Sequence, residues 1–439
     1  MNFDAIIIGS GPGGYATAIR LGQKGKKVLL IEKDRIGGEC LNYGCIPSKA
    51  LIEMASSIHY LKNMPGFKGD MSIDLAAWQD WKWGMIGRLT GGVETLCKSY
   101  GVQIERGTGT IIDRNTVSVD GRNYTGDYLV IATGSSPVRL PGMDMVMQNR
   151  DILDLKELPE SLAIIGGGYI GIELGTAFAK LGTSVTIIEM MDQILPGVDR
   201  DITRPVARTL RELSVEVLTS TKVESVREEN GFVLHLSSGS DIHADKVLLT
   251  VGRVPNTSGF GLENLGLEMD GKFIKTDFRK RTSIDTVYAL GDVSGGPMLA
   301  HKAFYEAEIV ADNICGEDRV VDYHAMPFVI YSDPEISYTG DIKGEFKSFP
   351  LGANGRALGM NSSNGFYRIY CDSSGNVKGS ALVAPHSSEM IGEMTLAVES
   401  GLNAMDIGLT IHPHPTISEG LMEVAQGVYS KPLHFKPRD

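Results

Sequence analysis

The chain has 439 residues, of which 42% are hydrophobic and 22% charged. That length calls for two or three domains, and the composition is that of a folded globular protein, not a disordered one. A formal charge of −12, without a basic run or a basic stripe carrying interleaved aromatics, weighs against a nucleic-acid partner.

The apolar runs, such as residues 5–8 and 247–251, are far too short to cross a bilayer. A strand pattern begins within the first four residues and leaves no room for a leader, so the expected location is cytoplasmic. Five cysteines in a chain this long make no disulfide scaffold. Cys97, Cys315 and Cys371 stand singly, whereas Cys40 and Cys45 form a close pair.

In chain order, residues 3–8 read as a buried strand, followed by Gly9, Gly11 and Gly14 and a helix from Tyr15 to about Gln23. A second apolar strand, residues 28–31, ends at Glu32. Residues 50–60 and 75–100 have few turn signals and read as helices. Residues 103–131 alternate as strands and end in Ala132-Thr133-Gly134. Residues 161–165 are again a strand, followed by Gly166, Gly168 and Gly171 and a helix to about Lys180. A strand over 185–188 then ends at Glu189. Residues 215–252 alternate. Beyond about residue 320, short strands precede helices, the pattern of an α+β domain, and the Gly- and Asn-rich stretch 350–364 reads as loop.

The two glycine turns form a repeat. Gly9 to Glu32 and Gly166 to Glu189 are both offsets of 23 positions. Each has the strand, turn, helix, strand and acid order of a dinucleotide fingerprint. The first glycine makes the turn, the second admits a pyrophosphate, and the third lets helix and strand pack closely. The helix N-terminus meets the phosphates, and the acid accepts hydrogen bonds from ribose hydroxyls. One such turn is weak evidence, whereas two with equal acid offset are strong. Glu189 would repel a 2′-phosphate, and Met190, Met191 and Asp192 supply no arginine to hold one, so the second site is expected to prefer NAD to NADP.

Four residues separate Cys40 from Cys45, so a short loop or distorted helical turn could close a disulfide. So small a loop constrains the unfolded chain little. A redox-active pair is the leading reading, with metal or structural roles as alternatives. Zinc would need a second ligand pair, and His412 and His414, split by Pro413, make a poor one, so no metal site is expected.

The run from Gly37 through Cys40 and Cys45 to Lys49 resembles the active-site signature of the pyridine nucleotide–disulfide oxidoreductases. Other motifs agree in order: Ala132-Thr133-Gly134, Val251-Gly252-Arg253 to Asn256, Ala289 to Asp292, and His412-Pro413-His414 to Glu419. The resemblance covers nearly the whole chain. Pro297-Met298-Leu299-Ala300-His301-Lys302, the His-x-His-Pro-Thr form of the last motif and the expected NAD preference resemble the dihydrolipoamide-oxidising branch. Mercuric reductases usually add a C-terminal cysteine pair, and glutathione reductases arginines after the second acid.

The resemblance implies an α/β fold with two Rossmann-like dinucleotide-binding domains, for FAD and NAD, and a C-terminal α+β dimerisation domain. The expected boundaries are 1–145 and 276–320 for the FAD domain, 146–275 for the NAD domain and 321–439 for the interface domain. FAD is expected at Gly9, Gly11, Gly14, Glu32, Lys49, Gly109, Thr133, Gly134, Asp292, Met298, Leu299, Ala300 and His301. NAD+ or NADH is expected at Gly166, Gly168, Tyr169, Gly171, Glu189, Val223 and Gly252. Tyr169 resembles the ring that covers the nicotinamide pocket.

By the same resemblance Cys45 faces the flavin, Cys40 exchanges with substrate, and His414, oriented by Glu419, is the base. Lys49 lies beside the flavin and pairs with Glu173. The implied reaction is FAD-dependent oxidation of dihydrolipoamide to lipoamide with reduction of NAD+. Another disulfide or mercuric reduction, or a non-catalytic dinucleotide-binding role, is the alternative. The family's histidine serves the other subunit, which implies a homodimer. A lipoyl-carrying protein of a 2-oxoacid dehydrogenase complex or of the glycine cleavage system is the expected partner. The chain departs from the family after Gly340. A helix of about a dozen residues is usual there, and only residues 341–347 intervene before Ser348, which puts surface docking at that place in doubt.

His301 and His412 taken singly are more simply read as satisfied loop or core histidines. His414 and Glu419, five apart, would not meet on one helix face and need the turn that Pro413 and Pro415 impose.

Overall fold

In the computed structural model, residues 2–69 and 71–436 are described. The first strand, Asn2–Ile8, is apolar and buried from Ala5 to its end because both faces of its sheet are covered there. It lies between two parallel neighbours, Val28–Glu32 and Arg122–Ile131. Gln103–Arg106 extends the parallel sheet beyond Val28–Glu32. The long strand Arg122–Ile131 is shared. Its start pairs with Thr116–Val119 in an antiparallel hairpin, and its end pairs in parallel with Val287–Ala289, far along the chain.

Helix α1, Pro12–Gln23, follows the first strand with a proline in its first turn. Helix α2, Gly38–Tyr43, and helix α3, Cys45–Asn63, are separated by Gly44 alone. Helix α4, Leu75–Ser99, starts at Asp74, whose carboxylate caps Ala77 N–H at 2.9 Å. The short α5, Asn149–Ile152, leads into a second parallel sheet in the order Glu216–Leu218, Ser184–Ile188, Ser161–Ile165, Lys246–Leu249. Helix α6, Tyr169–Leu181, crosses over within it, and α7, Arg200–Glu212, follows. Strands Val223–Glu228, Phe232–Leu236 and Asp241–Ala244 form an antiparallel meander beside it. Helix α8, Ala300–Ile314, packs along α1.

The C-terminal unit is a five-stranded antiparallel sheet in the order Phe328–Ile330, Ile336–Gly340, Val377–Val383, Phe366–Cys371, Phe346–Pro350. Its core, including Phe349, Tyr367, Leu382, Met394 and Leu421, lies beneath helices α10, Ser387–Glu399, α11, Ala404–Leu409, and α12, Glu419–Tyr429. Residues 341–345 alone join the strands Ile336–Gly340 and Phe346–Pro350, so no helix stands in this connection.

The stretch 350–364 is more ordered than a loop. It holds a 3-10 turn, Leu351–Ala353, and a short helix α9, Gly355–Gly359. Asn354 is the reason. Its Oδ1 caps Ala357 N–H at 3.0 Å, and its Nδ2 donates to Thr416 O at 3.0 Å. A residue counted as a turn former is a buried cap.

Buried polar joints hold the units to one another. Lys82 on α4 is fully buried, and its ammonium reaches Leu153 O at 2.8 Å and Asp154 Oδ1 at 2.6 Å. Beside it, Gln79 donates to Leu153 O and Leu155 O. These bonds satisfy the carbonyls of Leu153, the C-cap of α5, and of Leu155 beyond it. Lys82→Ala would remove the Asp154 ion pair and one of the two donors to Leu153 O, and we expect a loss of about 1–3 kcal/mol. Hydrogen exchange should show faster opening at residues 149–155 than in the core of either parallel sheet.

Candidate active site

The two glycine turns are structurally equivalent. Gly9 and Gly166 have φ of 97° and 109°, where an added Cβ would lie 2.4 Å from Ala132 O and 2.6 Å from Thr250 O. At Gly14 and Gly171 a Cβ would stand 1.9 Å and 2.1 Å from the carbonyl oxygens of Gly9 and Gly166. At Gly11 and Gly168 it would meet nothing within 4 Å. The middle glycine of each turn therefore faces open space at a helix N-terminus, where phosphate oxygens would approach free N–H groups.

Each acid also buttresses its own turn. Glu32 Oε2 accepts Ser10 N–H at 2.8 Å and Oε1 accepts Asp34 N–H at 2.7 Å. Glu189 repeats this with Gly167 N–H at 2.6 Å and Met191 N–H at 2.7 Å. A carboxylate has about four lone-pair sites. Both acids thus retain capacity for ribose hydroxyls, and the residues present fit two dinucleotides. One arginine that local sequence did not flag reaches the second acid's loop. Arg200 of α7 pairs with Asp192 and donates to Gln193 Oε1 at 2.9 Å.

Behind the first turn, Gly13 packs on Leu290 and Ala303, which places the 289–292 motif and the start of α8 against α1. Asp292 Oδ2 accepts Ser135 Oγ at 2.5 Å, and Arg253 donates to Ser135 Oγ at 2.8 Å. Thr133 and Asn256 bond reciprocally at 2.8 Å. Gly134 and Gly252 both have positive φ, and Gly252 O accepts Val138 N–H at 3.0 Å. Met298 and Leu299 precede Ala300 at the N-terminus of α8. His301 there has Nε2 2.8 Å from Pro327 O, a satisfied histidine. Gly109 is buried against Ile31 and Val117, and Val223, the first residue of the meander, is buried in its core.

Cys40 in α2 and Cys45 at the start of α3 interact directly. The hydrogen bond between the two thiols is the largest cause of a split in their acidity. It lowers Cys45 to about 7, aided by Lys49, and raises Cys40 together with burial. The position of Cys45 at a helix N-terminus favours thiolate further. Lys49 Nζ lies 2.8 Å from Oε2 of Glu173, whose side chain is only 4% exposed. Glu173 Oε1 accepts Tyr331 N–H at 2.9 Å, and the Lys49 ammonium stands over the Tyr331 ring at 4.5 Å. Tyr169, on the first turn of the same helix, is exposed.

Glu39, next to Cys40, is clamped from afar. Asn149 Nδ2 donates to Glu39 Oε1 at 2.9 Å and Arg150 Nη2 to Oε2 at 2.6 Å. Nothing in the local sequence of 149–150 marks this role.

His414 Nδ1 stands 2.8 Å from Glu419 Oε1, and Glu419 Oε2 accepts Thr416 N–H at 2.8 Å. Burial pushes the Glu419 carboxyl up, but the Thr416 amide and His414 bring it below the usual range. Residues 413–416 bend back so that two groups five apart meet. The Asn354 bond to Thr416 O and the Tyr367 hydroxyl on Ile417 O, at 2.8 Å, hold that bend. His412 is satisfied by Thr410 O at 2.9 Å and Glu393 at 3.2 Å. His414 itself is 78% exposed.

Two outcomes test this geometry. Gly171→Ala should destabilise by at least about 1–3 kcal/mol, read by thermal melting, while Gly168→Ala should melt like the parent yet bind NADH more weakly by fluorescence titration. Lys49→Met removes a cation that favours the Cys45 thiolate. The midpoint of Cys45 alkylation against pH should therefore move up from about 7.

Comparison with known proteins agrees with these arrangements. Residues 3–307 match the pyridine nucleotide-disulphide oxidoreductase family, and residues 326–425 match its dimerisation domain. A dihydrolipoyl dehydrogenase from Geobacillus stearothermophilus is 41% identical, covering 98% of this chain and 97% of that one. One from Haloferax volcanii is 40% identical with the same coverage. Among solved structures, LpdA from Mycobacterium tuberculosis superposes with a TM-score of 0.90 at 28% identity, covering 97% of this chain and 99% of that one. The HOCl-induced flavoprotein disulfide reductase RclA from Escherichia coli has a TM-score of 0.89 at 29% identity, covering 96% and 99%. With both dinucleotide turns, the cysteine pair and the dimerisation domain in one chain, this protein belongs to the pyridine nucleotide–disulphide oxidoreductases, enzymes that use FAD and NAD.

Proposed function

We propose that this chain is a dihydrolipoyl dehydrogenase, which oxidises dihydrolipoamide to lipoamide and reduces NAD+ through a Cys40–Cys45 disulfide. The observation that carries the reading is the Lys49–Glu173 ion pair one helical turn from Cys45, in a chain about 40% identical to enzymes of that name over 98% of its length. The domain division that suits it is 1–145 with 276–320 for FAD, 146–275 for NAD and 321–439 for the interface. The joining of Val287–Ala289 to the first sheet supports the split FAD domain.

FAD would be held by the Gly9–Gly14 turn, Glu32, Thr133, Gly134 and Asp292, with Lys49 beside it. NAD+ would be held by the Gly166–Gly171 turn and Glu189, under Tyr169. A proton on His414 Nδ1, directed at Glu419, leaves Nε2 as the base. His414 takes the proton of one substrate thiol. The thiolate attacks Cys40 sulfur, a substrate–Cys40 disulfide forms, and the Cys40–Cys45 bond breaks with its electron pair on Cys45. The second substrate sulfur then closes lipoamide and expels Cys40, which receives that thiol's proton. The low pKa of Cys45 suits it as the first leaving group. Bound FAD supplies the two-electron relay to NAD+ that lets the disulfide re-form.

The exposed His414, carried by the dimerisation domain, would serve the cysteine pair of a second copy in a homodimer. A lipoyl-carrying protein of a 2-oxoacid dehydrogenase complex or the glycine cleavage system would present the substrate, in the cytoplasm. No helix among the described residues is long and apolar enough to cross a membrane.

Steady-state turnover of dihydrolipoamide with NAD+, set against glutathione disulfide with NADPH, tests the reading. The first pair should dominate, and a preference for the second would overturn it. Cys45→Ser should abolish turnover while retaining flavin absorbance. His414→Gln should lower kcat/KM by about 10²–10⁴-fold.

A further inference from the structure

A buried ionic cluster that the chemistry above does not use lies behind the Gly291-Asp292 turn. Glu306 of α8 is fully buried, and its carboxylate receives four donors. Oε2 accepts Gly291 N–H at 2.6 Å. Oε1 faces Lys280 Nζ at 3.0 Å, Lys302 Nζ at 3.1 Å and the Tyr323 hydroxyl at 2.5 Å. Lys302 also donates to Gly291 O at 3.2 Å. Two side chains one turn apart on α8 thus hold both the N–H and the C=O of a single residue.

That residue is a glycine with φ of 73°, a backbone free to take other conformations. Removing three charged groups from water costs several kcal/mol per ion, and an apolar filling would often be as stable. A cluster built this way around one peptide is better explained by orientation than by stability. The next residue is Asp292, pinned on one oxygen by Ser135.

We propose that Glu306 is a positioning residue for FAD: with Lys302 it locks the Gly291 peptide so that the Asp292 carboxylate is aimed at the flavin's ribityl chain. This rests on the reading of Asp292 as a flavin ligand.

A double-mutant cycle on the full-length holoenzyme tests it, reading the rate of FAD release by recovery of flavin fluorescence well below the melting transition. Glu306→Gln should speed release about tenfold or more, as should Asp292→Asn. The double variant should release FAD within about twofold of Asp292→Asn alone, because the first residue acts through the second. A merely structural Glu306 would give effects that multiply. That result, or parental release by Glu306→Gln, would overturn the proposal. If Glu306→Gln does not fold, Tyr323→Phe removes one neutral donor. It should speed release about two- to fivefold in the parent but not in Asp292→Asn, and an unchanged rate would count against the proposal. A purified parent without flavin would overturn the cofactor reading, and this inference with it.

Discussion

The protein depends on the close approach of two helices to the strands that precede them. At Gly14 and Gly171 there is no room for a single added carbon, because the carbonyl of the first glycine of each turn occupies that place. Only this approach brings the helix N-terminus to the strand end, where its unpaired N–H groups face outward together. The acid at the end of the second strand then closes each turn by accepting amide hydrogens from it. Anion site, turn and sheet edge are one construction, made twice.

The surroundings of the cysteine pair lie where three units meet. Cys45 begins a helix of the first unit, Glu173 belongs to the crossover helix of the second, and Tyr331 belongs to the C-terminal unit. Glu173 bonds to Lys49 with one oxygen and to the Tyr331 amide with the other, so the cation beside Cys45 is placed by contacts among all three. Glu39 ties α2 to the segment entering the second sheet in the same manner. Charge placed near a thiol shifts its acidity, here added to the bond between the two cysteines. Relative positions of the units are therefore part of the chemistry. The connection 341–345 takes part in none of these contacts.

Much of this was legible in the chain itself. The glycine turns, the acids 23 positions on and the cysteine pair are local patterns, because a tight turn or a small disulfide loop constrains nearby residues. Stretch 350–364 was misread as loop because the partner of Asn354, Thr416 O, is 62 residues away and leaves no local mark. Asn149, Arg150 and Tyr331 were invisible for the same reason, their partners lying 106 to 158 residues distant.

The sequence by itself determined the fold class, the two glycine turns and the close pairing of Cys40 with Cys45, since each depends on residue type at fixed short spacing. Tertiary structure alone decided which charges surround them. It put Lys49 between Glu173 and Tyr331, bent 413–416 so that Glu419 reaches His414, and gathered Lys280, Lys302 and Tyr323 on Glu306. Electrostatic partners act through space over a few ångströms, and only the packed chain sets those distances.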